Sequence, residues 1–470
     1  MDGFTDSELW DHLDEAEGEV RIEVLMELAD RSYRVGEYGK AAELSGQAAA
    51  EAAVFSTSTV VEECCYGQGR AFTMALELDE ALAAYSRGVD AYVELDSKRQ
   101  LSRNLWGMAD CMYRTGKFAD ASSAAGRSVD AAAADEDWGQ AGLSQLLLAR
   151  ALYFGDREEA ALEACARARD FFRTVPDPAG VADVDDFTAT VHFYLGHPAE
   201  AADLLDRCLT MMTTIGDQRS IAYAKFRLAY ARGMVGDHEG ALELLAEAEV
   251  EYEGLGELFD VARCRTSMAR HHERLNRLGD AIDLARSASA LWDGLGDDVE
   301  YLRTQALVSR LYYGMNLFDD AIRVNRRIVS LAEGSSDAEV GDQGGWALLR
   351  MADDYVAMQE WDAVLEVLDD DAYWDEAPDL AGRMWKSTMR ARALYALGRE
   401  DEALAIAEAA LAETEDADVN SNTAYLYEIK ARASLQRELP DRERHLAHAI
   451  ALHLAVGEDD IARELADYFR

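Results

Sequence analysis

The densest grouping of chemistry-bearing side chains is His271, His272 and Glu273. Imidazole and carboxylate together could ligate a metal or relay a proton, but no Cys or carboxylate recurs at the i+4 ligand spacing a metal site uses. The trio reads as a solvated or packed histidine pair. Cys64 and Cys65 are vicinal in a helical stretch; with Cys111, Cys165, Cys208 and Cys264 they show neither zinc-type pairing nor the spacing of a disulfide scaffold. All six read as reduced, buried small hydrophobes. No phosphate-cradling glycine loop, nucleophile elbow or H-E-x-x-H occurs. The expectation is a chain that is not an enzyme and uses no cofactor or metal.

Composition narrows the function classes further. The 46 basic residues face 91 acidic ones, a net charge of -45, so most of the surface repels nucleic acid phosphates and anionic membranes. Direct nucleic acid or membrane partners are not expected. Only six of the basic residues are Lys, a bias that fits a high-GC genome or a halophile. The acidic start MDGFTDSELWDHLDEAEGE does not read as a signal peptide, and nowhere do 18 apolar residues run together. A soluble, cytoplasmic protein is expected. At 470 residues with 5 Pro and abundant Ala, Leu and Glu, the chain is too long for one globular core and poor in strand and turn formers.

The elements that must position any site come from an internal repeat. A small residue recurs at Ala41, Ala81, Ala121, Ala160, Ala201, Ala241, Ala281, Ala321, Val364 and Ala403, then as a degenerate Glu443. The spacing is about 40 residues throughout, widest between Ala321 and Val364, where the polar stretch Glu333–Gly345 reads as an inserted loop. Shorter polar breaks fall at Asp369–Glu376 and Glu413–Asn422. Twelve residues before each anchor stands a second small residue, from Ala29 to Ala431, with Leu148 the exception. Small side chains at two fixed points let two helices cross closely, so each unit reads as a helical hairpin. Five residues before the anchor, Gly36, Gly116, Gly155, Gly196, Gly236, Asn276, Asn316 and Gly398 suit the left-handed end of a helix, whereas Leu76, Gln359 and Glu438 do not.

These residues resemble the tetratricopeptide repeat (TPR) superfamily in its longer form. Its pattern is matched by Leu28, Ala29, Gly36, Tyr38 and Ala41, and again by Met108, Ala109, Gly116, Phe118 and Ala121. Similar arrays occur in bacterial signalling regulators of the maltose-activator type, in peptide-sensing regulators and in spindle-orientation adaptors of the LGN/Pins kind. The resemblance implies an all-α, right-handed superhelical α-solenoid spanning 1–470, with about eleven repeats over 20–457. Repeats two, four and eleven depart most, at Leu76, Leu148 and Glu443. A capping helix is expected over 5–18, opened by Thr5 and Glu8. A second cap over 458–470 would bury Ile461, Leu465, Tyr468 and Phe469. No room is expected for a separate effector domain.

In TPR arrays the first helix of each hairpin lines a concave groove. Its exposed face falls 18, 15, 11, 8 and 7 residues before the anchor, positions that are helical neighbours. Over the repeats these positions hold 11 basic residues, all Arg, about twice the uniform expectation, while acidic residues are slightly depleted. Aromatics there are enriched about threefold over uniform placement. Arg beside Tyr and Trp is the composition of binding hot spots.

The candidate partner-binding set begins with Tyr66, Arg70, Trp106, Tyr113 and Arg114, and continues through Tyr223, Phe226 and Tyr230. A cluster of Arg263, Arg270, Arg274, Arg303 and Arg310 follows, with Tyr313 and Trp346. Trp385, Arg392, Tyr395, Tyr425 and Arg432 complete it. The competing structural reading is that the rings fill space between hairpins and the Arg pair with Asp110, Asp186, Glu273 or Asp353. The leading expectation is a protein or peptide partner held in the groove by an acidic or C-terminal segment. The alternatives are a sensor of a small signalling peptide or ligand acting through a second protein, and an acidic decoy for a basic partner. Self-association into a homo-oligomer is left open.

Overall fold

The computed structural model describes residues 4–92, 98–333, 335–369, 380–413, 420–438 and 441–468. These form 24 helices, with no strand among the described residues. They fall into two compact units, Met1–Asp237 and His238–Arg470.

The first unit contains α1 (Asp6–Glu15), α2 (Gly18–Arg34), α3 (Tyr38–Phe55), α4 (Ser58–Met74), α5 (Leu78–Tyr92), α6 (Lys98–Arg114), α7 (Phe118–Ala134), α8 (Trp138–Phe154), α9 (Glu158–Thr174), α10 (Pro178–Tyr194), α11 (Pro198–Ile215) and α12 (Gln218–Met234). The second contains α13 (His238–Leu255), α14 (Leu258–Arg274), α15 (Leu278–Leu295), α16 (Asp298–Gly314), α17 (Phe318–Ala332), α18 (Ala338–Met358), α19 (Trp361–Leu368), α20 (Leu380–Ala396), α21 (Glu400–Ala412), α22 (Ser421–Gln436), α23 (Arg442–Ala455) and α24 (Asp459–Tyr468). From α2 to α11, and again from α14 to α23, consecutive helices pair into hairpins. Short turns force each pair antiparallel. The first helices of successive hairpins also touch, α4 on α6 on α8 on α10, and α14 on α16 on α18 on α20 on α22.

The anchors sit where the helices cross. Ala81, Ala121, Ala201, Ala281, Ala321 and Ala403 are wholly buried, as are Ala109, Ala189 and Ala269 twelve residues before three of these anchors. A larger side chain there would push the helices apart, typically at a cost of about 1–3 kcal/mol. The hairpin turn places one left-handed residue, such as Gly36 at φ 85° or Gly116 at φ 74°, and the next N–H bonds back into the first helix. Leu76, Gln359 and Glu438 take the same conformation without being Gly or Asn. The turn geometry therefore overrides residue preference at these three positions.

Two details of the sequence reading are corrected. In repeat four the left-handed residue is Asp156 at φ 56°, and Gly155 is not left-handed, with φ -98°. Ala161 and Ala149 are wholly buried where Ala160 and Leu148 are only partly so, so the register runs one residue later. Repeat four thus keeps the 40-residue period and does not depart from it. In repeat nine most of the polar stretch is helix and not loop. Helix α18 begins at Ala338 and runs 21 residues against 17 in α16, so the extra length is taken up largely as about one added turn of helix. Glu443 does depart, lying exposed near the start of α23.

At the amino end Thr5 and Glu8 form a reciprocal capping box, and α1 buries Leu9 and Leu13 against α2. In α24, Leu465 is wholly buried and Ile461 partly so, while the side chain of Tyr468 and all of Phe469 lie outside the described residues. The polar breaks after Asp369 and Glu413 also fall largely outside them. No described helix is long and apolar enough to cross a membrane.

Candidate functional site

The face built by the first helices follows one contact rule. A residue 11 before the anchor of one repeat reaches the residue 8 before the anchor of the preceding repeat. Arg70 lies over the Tyr33 ring at 4.7 Å in this way, and Arg310 grips Glu273 with both prongs at 2.7 and 2.8 Å. The rule follows from adjacent first helices presenting i, i+3 rows to each other.

In the first unit this face contains a hollow of about 340 Å³ among α2, α3, α4 and α6. Tyr33, Tyr66, Arg70 and Arg103 border it, with Asp30 and Glu63 on its rim. Arg103 stacks on Tyr66 at 4.5 Å while its fork holds the wholly buried Glu62 at 3.0 and 2.7 Å; Asn104 donates to the same carboxylate. Burial nevertheless pushes the Glu62 carboxyl above its usual range, against the pull of Arg103 and Asn104. Asp30 is taken by Arg34. Arg70 has no carboxylate partner among the described residues; its guanidinium is held by Tyr33 and sits 6.0 Å from the Tyr66 ring.

Further along, Trp106 is half-buried, with its indole N–H unpartnered among the described residues. Tyr113 meets Phe118 and Phe154, and Tyr153 meets Phe154, Phe187 and Tyr194, all at centroid distances of 5.0–6.0 Å. Phe154 and Tyr194 are exposed members of this ladder. Arg114 is paired with Asp110 at 2.8 Å. Tyr230 stacks edgewise on Phe193, and Tyr223 and Tyr230 are exposed while Phe226 is half-buried.

In the second unit the predicted Arg cluster is already neutralised in large part. Arg263 pairs with Asp260 at 2.9 Å, Arg303 with Glu300 and Glu339 at 2.7 and 3.1 Å, and Arg310 with Glu273. Arg270 and Arg274 stand exposed. Tyr313 meets Phe318, Trp346 meets Trp385 at 6.0 Å, and Arg392 lies 4.1 Å over Tyr425. Tyr395 is half-buried, and Arg432 is paired with Glu428 at 2.8 Å. Burial chiefly lifts the Asp353 and Asp354 carboxyls to about 6 and about 7, while Arg350 beside them is pushed down to about 10. His271 faces His238 across 3.3 Å and is driven down to about 4, first by burial and then by that neighbour. Among the described residues no group of three or more His, Cys, Asp or Glu could hold a metal ion. All six cysteines are free and buried.

Sequence reasoning missed Arg150, which lies 5.7 Å from the Phe187 ring, and the exposed Phe154. Counting from Ala161 puts them 11 and 7 residues before the anchor, so an unbroken 40-residue period was the signal that finds them. Arg227, paired with Asp186 at 3.1 Å, and Arg350 lie 14 residues before their anchors, outside the face as drawn from sequence.

No protein-family model and no curated protein sequence matches the chain. Its structure is similar to that of a signal transduction ATPase with numerous domains from Pyrococcus horikoshii that has a tetratricopeptide repeat sensor. That match has 12% identity and a TM-score of 0.56, and covers 74% of this chain and 51% of that one, about half its length. It is also similar to the apo form of RapI, with 13% identity, coverage of 56% and 95%, and a TM-score of 0.46. A Rap protein complexed with competence and sporulation factor gives 11% identity, coverage of 74% and 95%, and a TM-score of 0.43. Paired helices on a 40-residue period, a left-handed residue at each hairpin turn and the first of these likenesses together give the chain a TPR-like helical-repeat fold.

Proposed function

We propose that the protein is a non-catalytic scaffold or adaptor whose first-helix face holds an acidic or C-terminal segment of a protein partner. Arg70 carries this reading. In a chain with twice as many acids as bases, it is an arginine held against a tyrosine face, in a hollow, with no carboxylate of its own among the described residues. Such a guanidinium is oriented and still has donors to offer. Tyr33 and Tyr66 supply flat apolar walls for the adjoining part of a ligand.

The test is binding of acidic peptides to the full chain by fluorescence anisotropy, alongside co-purification from the native host with mass spectrometry. Arg70→Ala is expected to weaken binding by about 1.5–3 kcal/mol, the usual worth of a charged hydrogen bond, or roughly ten- to hundredfold. Unchanged affinity in that variant rejects the assignment of this hollow. In the second unit a ligand must displace Glu273, so replacing both Arg270 and Arg310 by Glu should matter less than the Arg70 change.

A second reading, a sensor of a small signalling peptide, is favoured by likeness to a protein whose repeat region is described as a sensor. Ligand-dependent change in the radius of gyration, measured by small-angle scattering, separates sensor from static scaffold. Binding that instead collapses steeply with salt and ignores Arg70 points to the acidic surface as a decoy.

A further inference from the structure

The turns that link one hairpin to the next repeat a left-handed residue at 40-residue spacing: Glu136, Gly216, Gly256 and Gly296. At the equivalent position between α9 and α10 stands Pro176, whose ring holds φ negative and forbids that conformation. The turn is closed differently: Val175 is extended at φ -99°, and the Asp177 N–H, besides reaching the Phe172 carbonyl at 3.3 Å, turns back to the Val175 carbonyl at 2.6 Å. A hollow of about 570 Å³ opens at this place. Phe172, Pro176, Pro178, Val181 and Met211 make its walls apolar. Phe172 cannot move aside, because it is seated against Gly142 and Gly180; a Cβ on Gly180 would stand 2.4 Å from its ring.

The polar end is equally defined. Asp185, 2% exposed, accepts from Arg169 at 2.7 Å and from Arg207 at 3.2 and 3.3 Å. Two guanidinia share this one carboxylate, Asp177 adds a second carboxylate to the lining, and Arg207 is the half-exposed member with donors to spare. Among the described residues, Arg173 on the rim has only a long contact with Asp170 at 3.8 Å. Asp177 is engaged by the Gly180 N–H, and the Thr210 hydroxyl donates to the Asp206 carbonyl. The volume falls in the range of small-molecule sites, which are mostly apolar with a few fixed polar groups.

The geometry points to a ligand site for a small amphiphilic carboxylate: an apolar body against Phe172, Val181 and Met211, and its carboxylate on Arg207. This site shares no residue with the Arg70 hollow and does not rest on the function proposed above. The test is isothermal titration calorimetry of the full chain with octanoate, N-acetylphenylalanine and octanamide. At least one acid should bind one to one; tighter binding of octanoate identifies a fatty acid, and tighter binding of N-acetylphenylalanine a chain end. Octanamide should bind at least about tenfold more weakly, and Arg207→Ala should cost the acids about tenfold or more, as loss of a charged hydrogen bond implies. Thr210→Trp fills the hollow from an exposed position and should abolish binding with an unchanged melting curve. Equal binding of acid and amide, full binding by the folded Thr210→Trp variant, or no binding of either acid at about 10 mM, far weaker than a built site gives, overturns the proposal.

Discussion

Glu62 in the first unit and Asp354 in the second are both acids with almost no exposed surface, each near one Arg and one Asn. Their arrangements differ. Glu62, on α4, faces Arg103 and Asn104 on α6, so the guanidinium arrives from another helix with both prongs aligned. Asp354 and Arg350 share α18 at i, i+4 and do not meet; each turns to Asn325 on α17, at 3.3 Å. Arg350 Nη2 is left without a partner among the described residues. The lesson is that a buried carboxylate is paired by the direction from which a cation reaches it, not by a nearby cation in the sequence.

The largest expected effect is at the well-paired centre. Arg103→Ala leaves Glu62 buried beside a single amide and should cost about 3–5 kcal/mol in urea unfolding, the usual penalty for breaking a buried ion pair. A loss below about 1 kcal/mol, the worth of an exposed pair, would erase the contrast between the two units.

A smaller effect of opposite sign is expected at the other centre. Asp353 and Asp354 carry folded-state values of about 6 and about 7, above the ordinary carboxylate range, because burial penalises their charged forms. The native state therefore holds protons that the unfolded chain has released. The stability they confer is present near pH 4 and is lost as pH rises towards 7. Asp354→Asn should raise stability by about 1–3 kcal/mol at pH 7.5, the cost of an unsatisfied buried group, with little gain at pH 4.5. Hydrogen exchange of the α18 amides, compared between variant and wild type at the two pH values, isolates this from the charge of the rest of the chain. Equal protection at both values refutes the assignment.

The smallest effect belongs to Arg350. A guanidinium with one long hydrogen bond to Asn325 and an unmatched nitrogen contributes little, so Arg350→Met should change stability by no more than about 1 kcal/mol. A large loss in urea unfolding would show that Arg350 supports Asp354 after all, and the two centres would then be alike.

The helices, their 40-residue period and the paired small residues at the crossings were legible in the chain because all depend on local spacing. The period of an amphipathic hairpin is written residue by residue, and a left-handed turn leaves Gly or Asn in most repeats. The first-helix face was legible in outline, since Tyr66, Arg70, Arg310 and Arg392 do lie against their neighbours in adjacent repeats. Only the tertiary structure decided which of its arginines have donors to spare. Arg310 is spent on Glu273 while Arg70 has only tyrosines, a difference set by which side chain stands at one position of the preceding repeat. Whereas the register of repeat four follows from holding the 40-residue period strictly, the longer α18 and the hollow beside Pro176 were equally beyond a count of spacing. Each depends on how a turn or a helix end accommodates its neighbours in space, and that energy is shared among residues about 30–40 positions apart, further than any local pattern reaches.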